Sequence, residues 1–185
     1  MKSGVILAET SFRPDVVKAS LEMVDGERLI DRQISEMKKF VQEIVLVTND
    51  PRAFLPVVSK DIRIITVFHK EKGILGALHA GMSLAQHPQV WLGHCDSENV
   101  SSKAAKAMDV RLQQTGSAAV VPFFNQTPLP FQGIYQRKQV LETLSESINL
   151  HESISFSEWF RQLDWTAFDE MEYHRFQLEF PFKSR

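Results

Sequence analysis

Asp96 is the residue whose type and place best suit it to chemistry. It closes the run Val90-Trp91-Leu92-Gly93-His94-Cys95-Asp96, which is apolar until it stops on a carboxylate. Such a run reads as a short buried strand, and ligands of open α/β sheets bind outside the carboxyl ends of the strands. An acid placed there can hold a divalent metal and, through it, a phosphate; it can equally cap the next helix or close a turn. Arg13 and Lys18 follow the first apolar run and are either phosphate ligands or solvated loop cations. Asn49, after another buried run, either contacts a base or ribose or simply forms a turn. Gly73 and Gly76 either let a helix N-terminus meet an anion or serve helix packing. Glu98 is a second carboxylate for the site or a surface acid. Cys95 has no recognisable partner base and reads as a buried, inert thiol. His79 and His94 lack a His-x-x-x-His spacing; His79 reads as a helix residue near the cleft, His94 as strand packing.

The elements that must position these groups alternate. Val5-Ile6-Leu7-Ala8 is a central strand, and residues 9–17, with Pro14, read as a loop. Leu21 to Val24 leads to a tight turn at Asp25-Gly26. Ile30, Ile34, Met37 and Val41 mark the inner face of a helix over residues 27–41. Ile44 to Thr48 is a continuous β-branched run, as in a strand buried on both faces, and Arg63 to Phe68 is another. Leu75, Leu78, Met82 and Ala85 keep helical spacing. Ser101 and Ser102 are candidate N-caps for a helix burying Ala105, Met108 and Leu112, which Gly116 stops. Ala118 to Phe123 is the next strand. Strands alternating with helices this far predict βαβ units and a largely parallel sheet. The rhythm then changes to a turn-rich insertion at residues 125–130 and a short strand at Gly133-Ile134-Tyr135. Two helical faces follow, on Val140, Leu141, Leu144 and Ile148, then on Phe156, Trp159, Phe160 and Leu163. The aromatic tail from Tyr173 to Phe182 reads as a last edge strand.

Residues 1–185 contain no repeat or linker, so one domain is expected. Lys plus Arg number 21 and Asp plus Glu 23, a formal charge of −2, which leaves no electrostatic footprint for nucleic acid or an anionic membrane. The single cysteine excludes an intramolecular disulfide and a multi-thiolate zinc site. No apolar run approaches the roughly 20 residues that span a bilayer, and the first eight are too short an apolar segment for a secretory signal. A cytoplasmic protein is expected.

Four segments, in order and spacing, resemble the molybdenum cofactor guanylyltransferases, within the nucleotidyltransferases of Rossmann-like fold. Residues 18–29, Lys18-Ala19-Ser20-Leu21-Glu22-Met23-Val24-Asp25-Gly26-Glu27-Arg28-Leu29, are similar to the family's stretch from its signature lysine through a glycine turn into the first helix. Gly73-Ile74-Leu75-Gly76-Ala77-Leu78-His79-Ala80-Gly81-Met82 resembles its Gly-Pro-Leu-Ala-Gly segment. Cys95-Asp96-Ser97-Glu98 falls where the family has Cys-Asp, a small residue and proline. Pro128-Leu129-Pro130-Phe131-Gln132-Gly133-Ile134-Tyr135 resembles its His/Gln-Pro-Leu strand ending in tyrosine.

The resemblance implies a three-layer α/β/α fold with a mostly parallel mixed sheet, and transfer of GMP from GTP to molybdopterin with release of pyrophosphate. It implies catalytic roles for Lys18 and Asp96, and nucleotide contacts from Leu7, Ala8, Arg13, Lys18, Asn49, Gly73 and Asp96. It also implies Mg2+ on Asp96. Departures fall in these parts. The family's opening Leu-Ala-Gly-Gly becomes Leu7-Ala8-Glu9-Thr10, and its Met-Gly pair before the lysine becomes Pro14-Asp15. Its Asn-x-Asn-Thr-Pro motif is replaced around Phe176-Gln177-Leu178-Glu179-Phe180-Pro181. The aspartate expected ahead of the Gly-Pro-Leu segment has no clear match. Nucleotidyl transfer needs positioning and positive charge over phosphate oxygens. A loop without glycine, with a proline lacking an N–H and an added carboxylate, supplies these poorly. Two other readings therefore stand beside the first: a non-catalytic member binding a nucleotide, pterin or partner, and a related transferase using CTP or a sugar phosphate.

Overall fold

The first strand sets the layering of the molecule. In β1 (Lys2–Ala8), Val5 and Leu7 point into one apolar cluster and Ile6 and Ala8 into another, all at most 1% exposed. Alternation along a strand sends neighbours to opposite faces, so a strand apolar at every position needs cover on both sides. The structure is a computed structural model and describes residues 1–9, 14–149 and 154–181.

Helix α1 (Val16–Leu21) follows β1, and β2 (Met23–Val24) pairs with β3 (Glu27–Arg28) in a hairpin whose turn residues Asp25 and Gly26 both have positive φ. Next come α2 (Leu29–Lys38), β4 (Glu43–Thr48), α3 (Pro51–Phe54), β5 (Arg63–Ile65), α4 (Gly73–Leu84) and β6 (Gln89–His94). The chain continues through α5 (Ser102–Thr115), β7 (Ala119–Phe124), β8 (Thr127–Pro128), β9 (Ile134–Gln136) and α6 (Arg137–Asn149). It closes with α7 (Phe156–Gln162), β10 (Trp165–Phe168) and α8 (Glu170–Arg175).

The sheet order is β10-β7-β9-β6-β1-β4-β5, with β8 paired to β7. Strand β9 runs antiparallel to both β6 and β7, while β5, β4, β1 and β6 are mutually parallel. One face is covered by α4, α6 and α7 residues, the other by residues of α2, α5 and α8. This is the expected three-layer α/β/α arrangement on a mostly parallel mixed sheet. Among the described residues no helix is long and apolar enough to cross a membrane.

Three local expectations give way. Val16 and Val17, read as loop, begin α1, a helix too short to show a 3.6-residue period. The strand expected through Phe68 stops at Ile65, and Phe68 is 58% exposed. The aromatic tail is not an edge strand: Tyr173 lies in α8, where the Asp169 side chain accepts from the Glu172 N–H and starts a helix. The edge position is taken by β10, parallel to β7 from Trp165 opposite Ala119 to Phe168 opposite Pro122. Phe182, the last residue of that expected strand, lies outside the described residues.

Candidate active site at the carboxyl edge of the sheet

Register brings three polar residues to one edge. Leu7 stands opposite Val47 on one side and His94 on the other, and Ala8 stands opposite Thr48. The ladder runs one step further, with the Cys95 N–H donating to the Leu7 carbonyl at 2.9 Å. Asn49, Glu9 and Asp96 therefore emerge at the carboxyl ends of β4, β1 and β6. Glu9 is 5% exposed, and Asn49 Nδ2 stands 3.5 Å from its Oε1. The carboxylate that replaces a glycine of the resembled family is thus folded inward beside Asn49.

Asp96 lies in a turn closed by the Ser97 N–H on the His94 carbonyl at 2.9 Å. It does not cap the next helix: Ser101 does, its side chain accepting from the Ala104 N–H. The Asp96 side chain is 20% exposed and, with His94, Ser97 and residues 128–132, lines a cavity of about 390 Å³. His94, expected as strand packing, instead places Nδ1 2.5 Å from Asp96 Oδ1.

The other expected site residues fall as follows. Leu7 and Ala8 end β1 and are buried, backbone included, with the Leu7 carbonyl taken by the Cys95 N–H. Lys18 is exposed on α1, whose first residue adjoins the end of β6 through Val16 O, 3.9 Å from the buried Cys95 Sγ. Arg13 lies outside the described residues. Gly73 heads α4 with φ 51°, a left-handed value that favours glycine. The parallel crossover from β5 to β6 starts α4 at this same sheet edge. Gly76 serves packing, because a Cβ there would stand 2.1 Å from the His69 carbonyl oxygen. His79 turns toward α6, its Nε2 3.5 Å from Ser145 Oγ, with burial and then His69 pushing its pKa down. Glu98 is exposed.

A second cavity of about 550 Å³ lies between α2, β6, α5 and residues 177–181, and Phe131 and Gln132 line both spaces. The tail is tied there by Asn99 Nδ2 donating to the Pro181 carbonyl at 2.7 Å. Leu178 and Phe180, standing where the family has asparagines, present apolar surface to this cavity. The wall at residues 128–132 begins in the turn-rich insertion and belongs to the family-like segment Pro128–Tyr135; its closeness to Asp96 depends on β9 returning beside β6.

Among the described residues no group of three or more His, Cys, Asp or Glu is placed to hold a metal ion. A single carboxylate at a strand end matches how Mg2+ is usually held, by one or two carboxylates with water and phosphate completing its shell. Asp96 is the carboxylate that fits.

The MobA-like NTP transferase domain matches residues 4–164. The molybdenum cofactor guanylyltransferase of Syntrophotalea carbinolica is 26% identical over 142 residues, covering 75% of this chain and 64% of that protein. The chain thus spans just under two thirds of that relative's length. A probable molybdenum cofactor guanylyltransferase of Peptoclostridium acidaminophilum is 26% identical over 180 residues, 94% of this chain and 79% of that one. The crystal structure of molybdopterin-guanine dinucleotide biosynthesis protein A from Archaeoglobus fulgidus shares the fold, with a TM-score of 0.73 at 18% identity over 95% of this chain and 87% of that one. With that domain matched over residues 4–164 of 185 and the α/β/α fold shared, the chain belongs to the MobA-like NTP transferase domain family.

Proposed function

We propose that the protein transfers GMP from GTP to molybdopterin, the reaction that the names of its curated relatives imply. A terminal phosphate oxygen of the acceptor attacks the α-phosphorus, the bond from that phosphorus to the bridging oxygen breaks, and pyrophosphate leaves. The observation that carries the reading is Asp96, a partly exposed carboxylate at the end of a central parallel strand, opening on a cavity.

In this reading Asp96 holds Mg2+, which when bound neutralises charge on the phosphates. Lys18 and Arg13 supply cations toward the same oxygens, and Asn49 faces the base or ribose. Gly73 borders the nucleotide at the head of α4, and Leu7 and Ala8 form the floor beneath it. A cytoplasmic setting accords with this biosynthetic role. Calorimetric titration of the protein with GTP and Mg2+ tests it: heat of binding at or below millimolar GTP is expected, and none at that concentration overturns it. CTP titrated in parallel decides the base.

The buried Glu9 favours a second reading, a non-catalytic member whose cleft binds a nucleotide, pterin or partner without chemistry. Nucleotide binding without formation of a guanylylated pterin from GTP and molybdopterin would select it.

A further inference from the structure

The proposed reaction gives no part to His94, yet its ring is held from several sides. It ends β6 with its side chain 12% exposed and its Nδ1 2.5 Å from Asp96 Oδ1. Its ring centre lies 5.7 Å from that of Phe131, and its Nε2 is buried with no hydrogen-bond partner among the described residues. Phe131 is fixed in turn. It stacks on Phe156 at 4.9 Å, and the carbonyl of the preceding Pro130 accepts from the Tyr135 hydroxyl at 2.7 Å.

An ionised carboxylate can only accept, so the proton in the His94–Asp96 bond sits on Nδ1. A buried acceptor without a partner is better tolerated than a buried N–H without one. Both ends of the ring therefore favour the same tautomer. Packing against Phe131 sets the imidazole plane, and the hydrogen bond passes that orientation to the carboxylate. A carboxylate that must turn to meet a cation loses freedom on binding, and a neighbour that already holds its Oδ1 lowers that cost in advance.

We infer that His94 is a positioning residue for Asp96, holding its carboxylate oriented for a divalent cation; this rests on the reading of Asp96 as the metal ligand. Hydrogen-bond partners of metal ligands are worth 10–100-fold in metal affinity or activity when removed, and His94 belongs in that range.

The test uses the full chain, with Mn2+ in the presence of GTP as the probe and electron paramagnetic resonance as the readout. His94→Ala is expected to weaken Mn2+ binding by about 10–100-fold. His94→Asn, whose side-chain N–H stands near the place of Nδ1, restores most of the affinity. His94→Gln, whose amide reaches toward the place of Nε2, does not. Equal affinity in the Asn and Gln variants overturns the inference. So does Mn2+ binding that is lost in Asp96→Ala but unchanged in His94→Ala, which leaves the metal reading standing. Absence of Mn2+ binding by the wild type overturns both. Imidazole nitrogen NMR of the unliganded wild type adds a check independent of any cation: the Nδ1–H tautomer of His94 is expected, and the Nε2–H tautomer overturns the inference.

Discussion

The two edges of the central sheet carry similar polar residues and spend them differently. At the amino edge, Glu43 accepts from the Ser3 hydroxyl, the Gln86 N–H and, at 3.0 Å, from Arg63 Nη1. Arg63 also donates to the Leu84 carbonyl, and Ser3 Oγ accepts from the His87 N–H. Nearby Lys2 pairs with Asp109 of α5 at 3.0 Å. These groups are absorbed in joining strands, helices and loops. At the carboxyl edge, Asp96 and His94 border a cavity of about 390 Å³ instead. A carboxylate at a strand end is therefore not a site by virtue of its position. What separates Asp96 from Glu43 is open space beside it and a histidine from its own strand that holds one of its oxygens.

The sharpest way to break that comparison is to remove each acid and ask which property fails. Asp96→Ala should lower nucleotidyl transfer by about 100-fold or more, as removal of a group that stabilises developing charge does. Its effect on the thermal midpoint should be small, because the side chain is partly exposed and borders open space. Initial rates and a melting curve on the same preparation decide it. Normal transfer by the variant would return Asp96 to the class of turn acids.

Within the carboxyl edge the end of β1 differs from the end of β6. Glu9 is an acid folded inward where the resembled family has glycine, while Asp96 stands where that family has aspartate. The pair Glu9→Gly with Thr10→Gly removes a negative charge and restores backbone that can approach an anion closely. A hydrogen bond to a charged group contributes about 1.5–3 kcal/mol, so GTP affinity should rise by about tenfold to a hundredfold. Titration calorimetry of the variant against the wild type measures this. Unchanged affinity would mean that the β1 end does not face a triphosphate.

Much of this geometry was legible in the residues, and the gaps have physical reasons. A continuous β-branched run marked β4 and an apolar run marked β6, because both sheet faces are covered. Asp25-Gly26 and Ser101 announced a turn and a cap by local chemistry alone. The tail misled because its aromatics suit a strand, while Asp169 and Glu172 form a helix start that outweighs them. Strand β10 is four residues long and owes its existence to pairing with β7, which no local pattern reveals. His94 was misjudged for the same kind of reason. The turn after it brings its ring to Asp96, and the distant Phe131 completes its surroundings.

The smallest expected effect concerns the amino edge and is read as a pH dependence. Burial alone would raise the Glu43 pKa, but the hydrogen bonds from Ser3, Gln86 and Arg63 outweigh it and hold the carboxyl below its ordinary value of 4.5. A carboxyl with a depressed folded pKa stabilises the fold above its unfolded pKa, and that contribution is lost as pH falls through the folded pKa. Glu43 therefore adds full stability near neutral pH, which declines below about pH 4.5. Glu43→Gln keeps the shape, loses the charge, and should cost about 1 kcal/mol at neutral pH, the difference between a charged and a neutral hydrogen bond. It should also flatten the slope of stability against pH on the acid side, as read from denaturant midpoints at successive pH values. Transfer by the folded variant should match the wild type, since Glu43 lies at the opposite end of the strands from Asp96. A loss of transfer in folded Glu43→Gln would show that the amino edge reaches the chemistry as well, and the division between the two edges would fail.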